Sequence, residues 1–259
     1  MKLLTVKQIR DWDAYTIRHE PVTSLDLMER AGRACTEHFL KSYSLENKFT
    51  VFCGQGNNGG DGLVIARLLS GYGYGIEVYV VRHSDRPSRD FISNLDRLGA
   101  SGDIPVREIR SRDDLPVLQG KPLIVDALLG SGISKPLRGL LAETVDHINR
   151  SGQRVISIDI PSGLPADIEQ WDPDGYRSVI SADTTLTFQL PKTSFLFPDT
   201  GDFCGEFKVL DIGLHPDFLR EATSAWNYAD EELVHSLIRP RKKFDHKGRF
   251  GHALLVAGS

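Results

Sequence analysis

Cysteine is scarce in this chain: only Cys35, Cys53 and Cys204 occur in 259 residues, an odd number too widely spaced to form a C-x-x-C pair. That scarcity argues against the disulfide framework of small secreted domains and against a cysteine-based zinc cage, and it fits a reducing compartment. Also missing is any stretch of about 20 apolar residues, the length a helix needs to cross a bilayer. The start, Met1-Lys2-Leu3-Leu4-Thr5, runs into polar helical sequence without the apolar segment of a signal peptide. The expectation is a cytoplasmic protein with no membrane partner. An excess of positive charge is lacking as well, since 31 Lys and Arg stand against 35 Asp and Glu for a net charge of −4. Nucleic acid therefore has no electrostatic footprint to bind.

With 40% hydrophobic and 25% charged residues, the composition is that of a globular chain with ample core. The length exceeds one ordinary domain of about 100–200 residues and falls short of two, so one large α/β domain with a tail fits best. Thr5 followed by Gln8 is a capping-box pattern, and Ile9, Trp12 and Ile17 recur at near-helical spacing, which predicts an opening helix that Pro21 interrupts. Trp12 and Asp13 are expected to pack and cap it. Thr23 with Asp26 starts a second helix whose apolar face, Leu25, Leu27, Met28 and Ala31, ends near Gly32 or continues to Phe39. From there apolar strand-like runs alternate with helical ones: Phe49–Cys53, Leu63–Leu69, Ile76–Val81, Phe91–Leu98, Val106–Ile109, Leu123–Leu128, Leu140–Ile148 and Val155–Ile160. This alternation predicts βαβ units and a mostly parallel sheet covered on both faces, with further strands at Thr184–Phe188 and Phe207–Leu210 joined through loops.

The densest chemistry lies in Val51-Phe52-Cys53-Gly54-Gln55-Gly56-Asn57-Asn58-Gly59-Gly60-Asp61-Gly62. Gly54, Gly56 and Gly59 fit the G-x-G-x-x-G spacing that lets backbone approach a pyrophosphate at a helix N-terminus. Asn57, Asn58 and Asp61 are more polar than tight packing needs. A dinucleotide dehydrogenase would want an acid at the end of the second strand for the ribose hydroxyls, but that strand ends in Val81-Arg82-His83. These two side chains suit either a 2′-phosphate or a solvated strand end, and the dehydrogenase reading leaves Asn57, Asn58 and Asp126 without a role. Asp126 and Asp159 interrupt otherwise apolar strands, where a carboxylate needs hydrogen bonds or a cation. In open sheets ligands lie beyond the carboxyl ends of the strands. One cleft is thus expected to collect the glycine turn, Asp126 with Gly130 to Pro136, and Asp159 with Ser162. Asn58, Asp126 and Ser162 would make an all-oxygen site for a hard cation, and composition does not choose K⁺ over Mg²⁺.

Three blocks in this order, Gly54-Gln55-Gly56-Asn57-Asn58-Gly59-Gly60-Asp61-Gly62, Val125-Asp126-Ala127-Leu128-Leu129-Gly130-Ser131-Gly132 and Asp159-Ile160-Pro161-Ser162-Gly163, resemble the YjeF N-terminal domain family, the NAD(P)H-hydrate epimerases. Leu27-Met28-Glu29-Arg30-Ala31-Gly32, Pro191-Lys192 and Val209-Leu210-Asp211-Ile212-Gly213 are similar to it too, and the likeness covers residues 1–225. It implies a Rossmann-like three-layer α/β/α sandwich with two N-terminal helices. It also implies interconversion of the R and S forms of hydrated NADH or NADPH at C6 of the nicotinamide-derived ring, so that the damaged cofactor is itself the substrate. By the same resemblance Asn57, Asn58, Gly59, Gly60 and Asp61 hold substrate from the glycine loop. Gly130, Ser131, Gly132, Ile133, Ser134, Lys135 and Pro136 wrap its phosphates, Asp159 faces the reacting ring as the catalytic residue, and Asn58, Asp126 and Ser162 bind one K⁺ per subunit. A homodimer is the family's common assembly.

Residues 226–246, including the basic stretch Pro240-Arg241-Lys242-Lys243, read as a linker. Lys247-Gly248-Arg249-Phe250-Gly251-His252-Ala253-Leu254-Leu255-Val256-Ala257-Gly258-Ser259 resembles the opening of the ADP- or ATP-dependent NAD(P)H-hydrate dehydratase domain, which implies a bifunctional parent and no dehydratase activity from these residues alone. The alternative is a non-catalytic scaffold of the same fold, of the kind found in messenger-RNA decapping. His83, His147 and His215 have no evident catalytic partner and are expected at the surface or in packing. Lys192 is open between touching substrate and bracing a loop.

Overall fold

A computed structural model describes residues 1–258 apart from Asp103, Gln119, Lys121 and Arg239. After a short strand β1 (Lys2–Leu3), helix α1 (Val6–His19) begins at the expected capping box: Gln8 N donates to the Thr5 hydroxyl and Thr5 N to Gln8 Oε1. Helix α2 (Ser24–Ser42) starts on the equivalent Thr23–Asp26 box. It does not stop at Gly32, because that glycine marks a helix crossing: a Cβ there would fall 2.3 Å from Val64 Cγ1. The glycine permits close contact rather than an end.

The alternating runs become β2 (Lys48–Cys53), α3 (Asn57–Gly71), β3 (Gly75–Val81), α4 (Arg89–Ser101), β4 (Val106–Ile109), β5 (Leu123–Ala127), α5 (Gly139–Arg150), β6 (Val155–Ile158), β7 (Thr184–Phe188), α6 (Pro198–Gly201) and β8 (Glu206–Leu210). The sheet has seven strands, all parallel, in the order β4-β3-β2-β5-β6-β7-β8. Period-two alternation divides its faces. Val51, Val78, Val125 and Ile156 pack under α2, α3 and α4, whereas Phe52, Tyr79, Ile124 and Val155 pack under α5. The Rossmann-like sandwich is as expected, and β7 and β8 arrive through loops and the four-residue α6.

Three boundaries differ from the sequence reading. α3 begins at Asn57 rather than Leu63, so the supposed turn is mostly helix, with Gly56 as its N-cap. β5 ends at Ala127, and β6 ends at Ile158, which leaves Asp159 just past its strand. Periodicity did not reveal the two-stranded pairing of β1 with β9 (Trp226–Asn227). Beside it, Lys2 Nζ donates to the carbonyls of Leu219, Arg220 and Ala222 around the end of α7 (Pro216–Glu221), where a cation complements the helix dipole. Helix α8 (Glu231–Leu237) follows. Farther on, Leu254, Leu255 and Val256 are exposed and no strand forms among the described residues of 247–258, while Ser259 lies outside them. Among the described residues no helix is long and apolar enough to cross a membrane.

Candidate active site

Strand order reverses direction between β2 and β5, the switch point where α/β sheets open a crevice at their carboxyl ends. The turn after β2 is held against the end of β5, with Gly54 N donating to Ala127 O at 3.0 Å. A Cβ on Gly54 would fall 1.9 Å from Leu128 O, and one on Gly59 would fall 1.9 Å from Gly54 O. No side chain caps α3, so its first amide groups are available to an anion in the crevice.

The cavity at this point measures about 590 Å³. Asn57, Asn58 and Asp61 line it from α3, Gly130 to Lys135 from the loop after β5, and Asp159 from the end of β6. Much of the expected site is therefore brought together. Gly59, Gly60 and Pro136 do not line it. Gly59 serves the close approach to Gly54, Gly60 gives room to the Met28 sulfur, and Pro136 packs beside Gly175.

Asp159 occupies a strained turn. Its φ is +65°, and Ile160 N reaches back to Ile158 O at 2.8 Å, a three-residue turn whose central residue pays for a left-handed backbone with about 1–3 kcal/mol. Gln189, at the end of neighbouring β7, repeats the geometry with φ +61° and Leu190 N on Phe188 O at 2.7 Å. The turn carries the Asp159 carboxyl into the cavity, where Oδ1 lies 2.7 Å from Lys192 Nζ and Oδ2 accepts Ser131 N at 3.2 Å. Lys192 is only 2% exposed yet lines the cavity, and its ammonium also donates to Thr187 Oγ1 at 3.0 Å. It braces the loop and faces the cavity together.

Asp126 departs from expectation. It does not line this cavity and is fully buried, because strand alternation turns it to the α5 face with Ile124 and Leu128, in register with Ser157. Its Oδ1 accepts Ser162 Oγ at 2.6 Å and Leu128 N at 3.2 Å, and its Oδ2 accepts Ser157 Oγ at 2.8 Å and Ser162 N at 2.9 Å. Burial pushes its pKa up, against the lowering pull of these bonds from Ser162, Ser157 and Leu128. Ser162 is buried with it. Asn58 is the opposite case: both of its amide atoms are buried and neither has a protein partner. A buried carbonyl oxygen without a donor suits a hard cation. Among the described residues no cluster of three or more His, Cys, Asp or Glu side chains could hold a metal ion.

Arg10 and Asp13 were not foreseen as site residues. Asp13 does not cap α1, a task Thr5 performs; it lines the cavity, while neighbouring Trp12 is buried and donates Nε1 to His215 O at 2.7 Å. Burial raises the Asp13 pKa to about 6, the negative charge of Asp159 adds to the rise, and Lys192 opposes it. Asp61 is pushed well above the usual carboxylate range, first by burial and then by Asp159 and Asp13. Arg10 also lines the cavity, and a Cβ on Gly132 would meet its guanidinium at 2.7 Å. Among the described residues it has no ion-pair partner. The only trace of this pair in the sequence is the i, i+3 spacing, which places Arg10 and Asp13 on one helical face. Arg82 instead pairs with Glu108 at 3.1 Å, and neither it nor His83 lines the cavity. His83, His147 and His215 bond to backbone at Val81 O, Pro116 O and Asp217 N, as packing residues do.

Comparison with known proteins adds an independent line. The family described as YjeF-related protein N-terminus matches residues 24–194. A bifunctional NAD(P)H-hydrate repair enzyme Nnr from Thermofilum pendens is 35% identical over 261 residues, which cover 100% of this chain and 48% of that protein. An NAD(P)H-hydrate epimerase from Lentilactobacillus buchneri is 35% identical over 213 residues, 82% of this chain and 94% of that enzyme. The chain thus spans about half the length of the bifunctional relatives it matches and nearly all of the single-function one. The crystal structure of the yeast protein ynu0 aligns with a TM-score of 0.68 at 21% identity, covering 90% of this chain and 98% of that one, which speaks for the fold alone.

Proposed function

This chain belongs to the YjeF-related N-terminal family, and from that premise we propose that it interconverts the R and S epimers of hydrated NADH and NADPH at C6 of the nicotinamide-derived ring. The observation that carries the reading is the Asp159–Lys192 ion pair, held by a strained turn in a cavity whose other wall is a glycine loop and an uncapped helix start.

At C6 the substrate carries a hydroxyl next to the ring nitrogen, whose lone pair can expel it. The Asp159–Lys192 pair gives a proton to that hydroxyl, the C6–O bond breaks, water departs and the lone pair becomes an N1=C6 double bond. Water then adds to either face of C6, its surplus proton returns to the protein, and the electron pair returns to N1. Ser131 N fixes the orientation of the Asp159 carboxyl throughout. Asp61, held toward its neutral form, can donate a hydrogen bond without adding negative charge beside Asp159. The diphosphate belongs with Gly130 to Lys135, the start of α3 and the Arg10 guanidinium.

One K⁺ per subunit would be held by Asn58, with Asp126 and Ser162 giving up part of their mutual hydrogen bonding to reach it, and its chemistry would be orientation and local charge, since a monovalent ion is a weak Lewis acid. The orphaned Asn58 amide supports it. Residues 1–225 would form the epimerase unit. Residues 226–246 would link it to a dehydratase domain opening at 247–259, in keeping with the names of the longer relatives.

The test couples this chain to an S-specific, ATP-dependent dehydratase acting on mixed R and S NADPH hydrate, with recovery of NADPH absorbance as readout. The expected result is recovery of the whole mixture. Recovery that stalls at the S fraction with this chain present would overturn the reading.

A further inference from the structure

Epimerisation at C6 makes a demand that one acid-base group does not meet. The hydroxyl leaves from one face of the ring and the new one arrives on the other, while a group that moves a proton must lie within about 2.6–3.2 Å of it. Asp159 and its Lys192 partner enter the cavity from the carboxyl ends of β6 and β7. Two further carboxyls enter it from helices outside the sheet, Asp61 on α3 and Asp13 on α1.

Resting on the epimerase reading, we propose that Asp13 is a second catalytic residue, serving the face of the ring opposite Asp159. Trp12 anchors α1 through its buried ring and its bond to His215 O, which holds Asp13 on the cavity side with Arg10 one turn before it. The charged and titratable groups lining the same cavity are Asp159 and Lys192 from the strand ends, Asp61 from α3, Lys135 from the loop after β5 and Arg10 from its own helix. Burial and the neighbouring Asp159 hold Asp13 at about 6, close to where a proton carrier works best at neutral pH.

The steps balance as follows in one direction. The Asp159–Lys192 pair protonates the departing hydroxyl, C6–O breaks, water leaves and N1=C6 forms. A second water attacks C6 from the opposite face, C6–O forms, Asp13 takes the surplus proton and the electron pair returns to N1. The reverse reaction exchanges the two roles, and the proton carried from one side to the other is reset through solvent.

The test measures kcat and KM on purified R-NADPH hydrate between about pH 5.5 and 8.5 for wild type, Asp13→Asn and Asp13→Glu, with thermal melts to verify folding. For Asp13→Asn the expected kcat loss is about 10²–10⁴-fold with KM within about threefold, and the decline of kcat below about pH 6 disappears. Asp13→Glu should recover part of the rate and keep a pH limb. Should Asp13→Asn fail to fold, Asp13→Ser takes its place. A variant whose kcat stays within about threefold of wild type, or that changes KM alone, overturns the inference. An inactive wild type overturns the epimerase reading beneath it.

Discussion

Asp126 and Asp159 both lie near the carboxyl ends of adjacent parallel strands, yet their surroundings are opposite. Asp126 stays inside its strand, is fully buried and takes four protein donors on its two oxygens. Asp159 is thrown past its strand by a left-handed turn, faces a cavity and is held by one ammonium and one amide. The first carboxylate is saturated and knits two strand ends together. The second keeps capacity for a proton or a ligand. Burial alone does not mark a working acid; capacity left over after the fold's own bonds does.

Breaking the Asp126 side of the comparison should give the largest effect on stability. Asp126→Asn turns an NH₂ toward donors from Ser157 and Ser162, and stranding them should cost about 3 kcal/mol. At about 2–4 °C per kcal/mol for a protein of this size, melting should fall by roughly 6–12 °C. A melting point within about 2 °C of wild type would contradict the saturated role.

Asp13 allows a sharper test through linkage, on the opposite sign. Its pKa is raised to about 6 in the folded chain. Its contribution to stability is therefore complete below about pH 4, the ordinary carboxyl range, and is lost as pH rises through about 6. Asp13→Asn removes the penalty, so the variant should be more stable than wild type by about 1–2 kcal/mol at pH 7 and equal to it near pH 4. Urea unfolding at both values checks the sign, and equal stability at pH 7 would contradict the burial and charge repulsion that raise the Asp13 pKa.

The smallest expected effects lie at the edges of the two regions. If the Asn58 amide holds a cation, replacing choline with K⁺ should raise melting by about 1–4 °C in wild type and not in Asn58→Leu, by mass action on the folded state. At the cavity mouth, Arg10→Ala should raise KM about tenfold with kcat nearly unchanged, as expected for a charge contact made equally in ground and transition states. Loss of kcat instead would place the guanidinium nearer the reacting ring.

The sheet was legible because its central strands β2, β5 and β6 are largely apolar on both faces and alternate with helical runs, and the glycine-asparagine block announced the crevice. The two aspartates looked alike because composition does not show which side of a strand faces a cavity or where the strand breaks off. Asp13 and Arg10 stayed hidden for another reason: each meets the site through the fold, Asp13 across nearly 150 residues of chain from Asp159, with nothing local to mark it, and the Pro191-Lys192 block marked Lys192 without showing its pairing with Asp159. The same holds for the two-residue β1 and β9, whose pairing joins distant parts of the sequence.

The most direct measurement supplies pure R-NADPH hydrate to wild type and to Asp159→Asn and follows the appearance of the S epimer by chromatography, with melting and KM recorded alongside. The predicted result is rapid conversion by wild type and a loss of about 10²–10⁴-fold in kcat for the variant at nearly unchanged KM and melting point. Near-normal conversion by Asp159→Asn, or none by wild type, would contradict the claim that the unsaturated carboxylate in the cavity carries the chemistry.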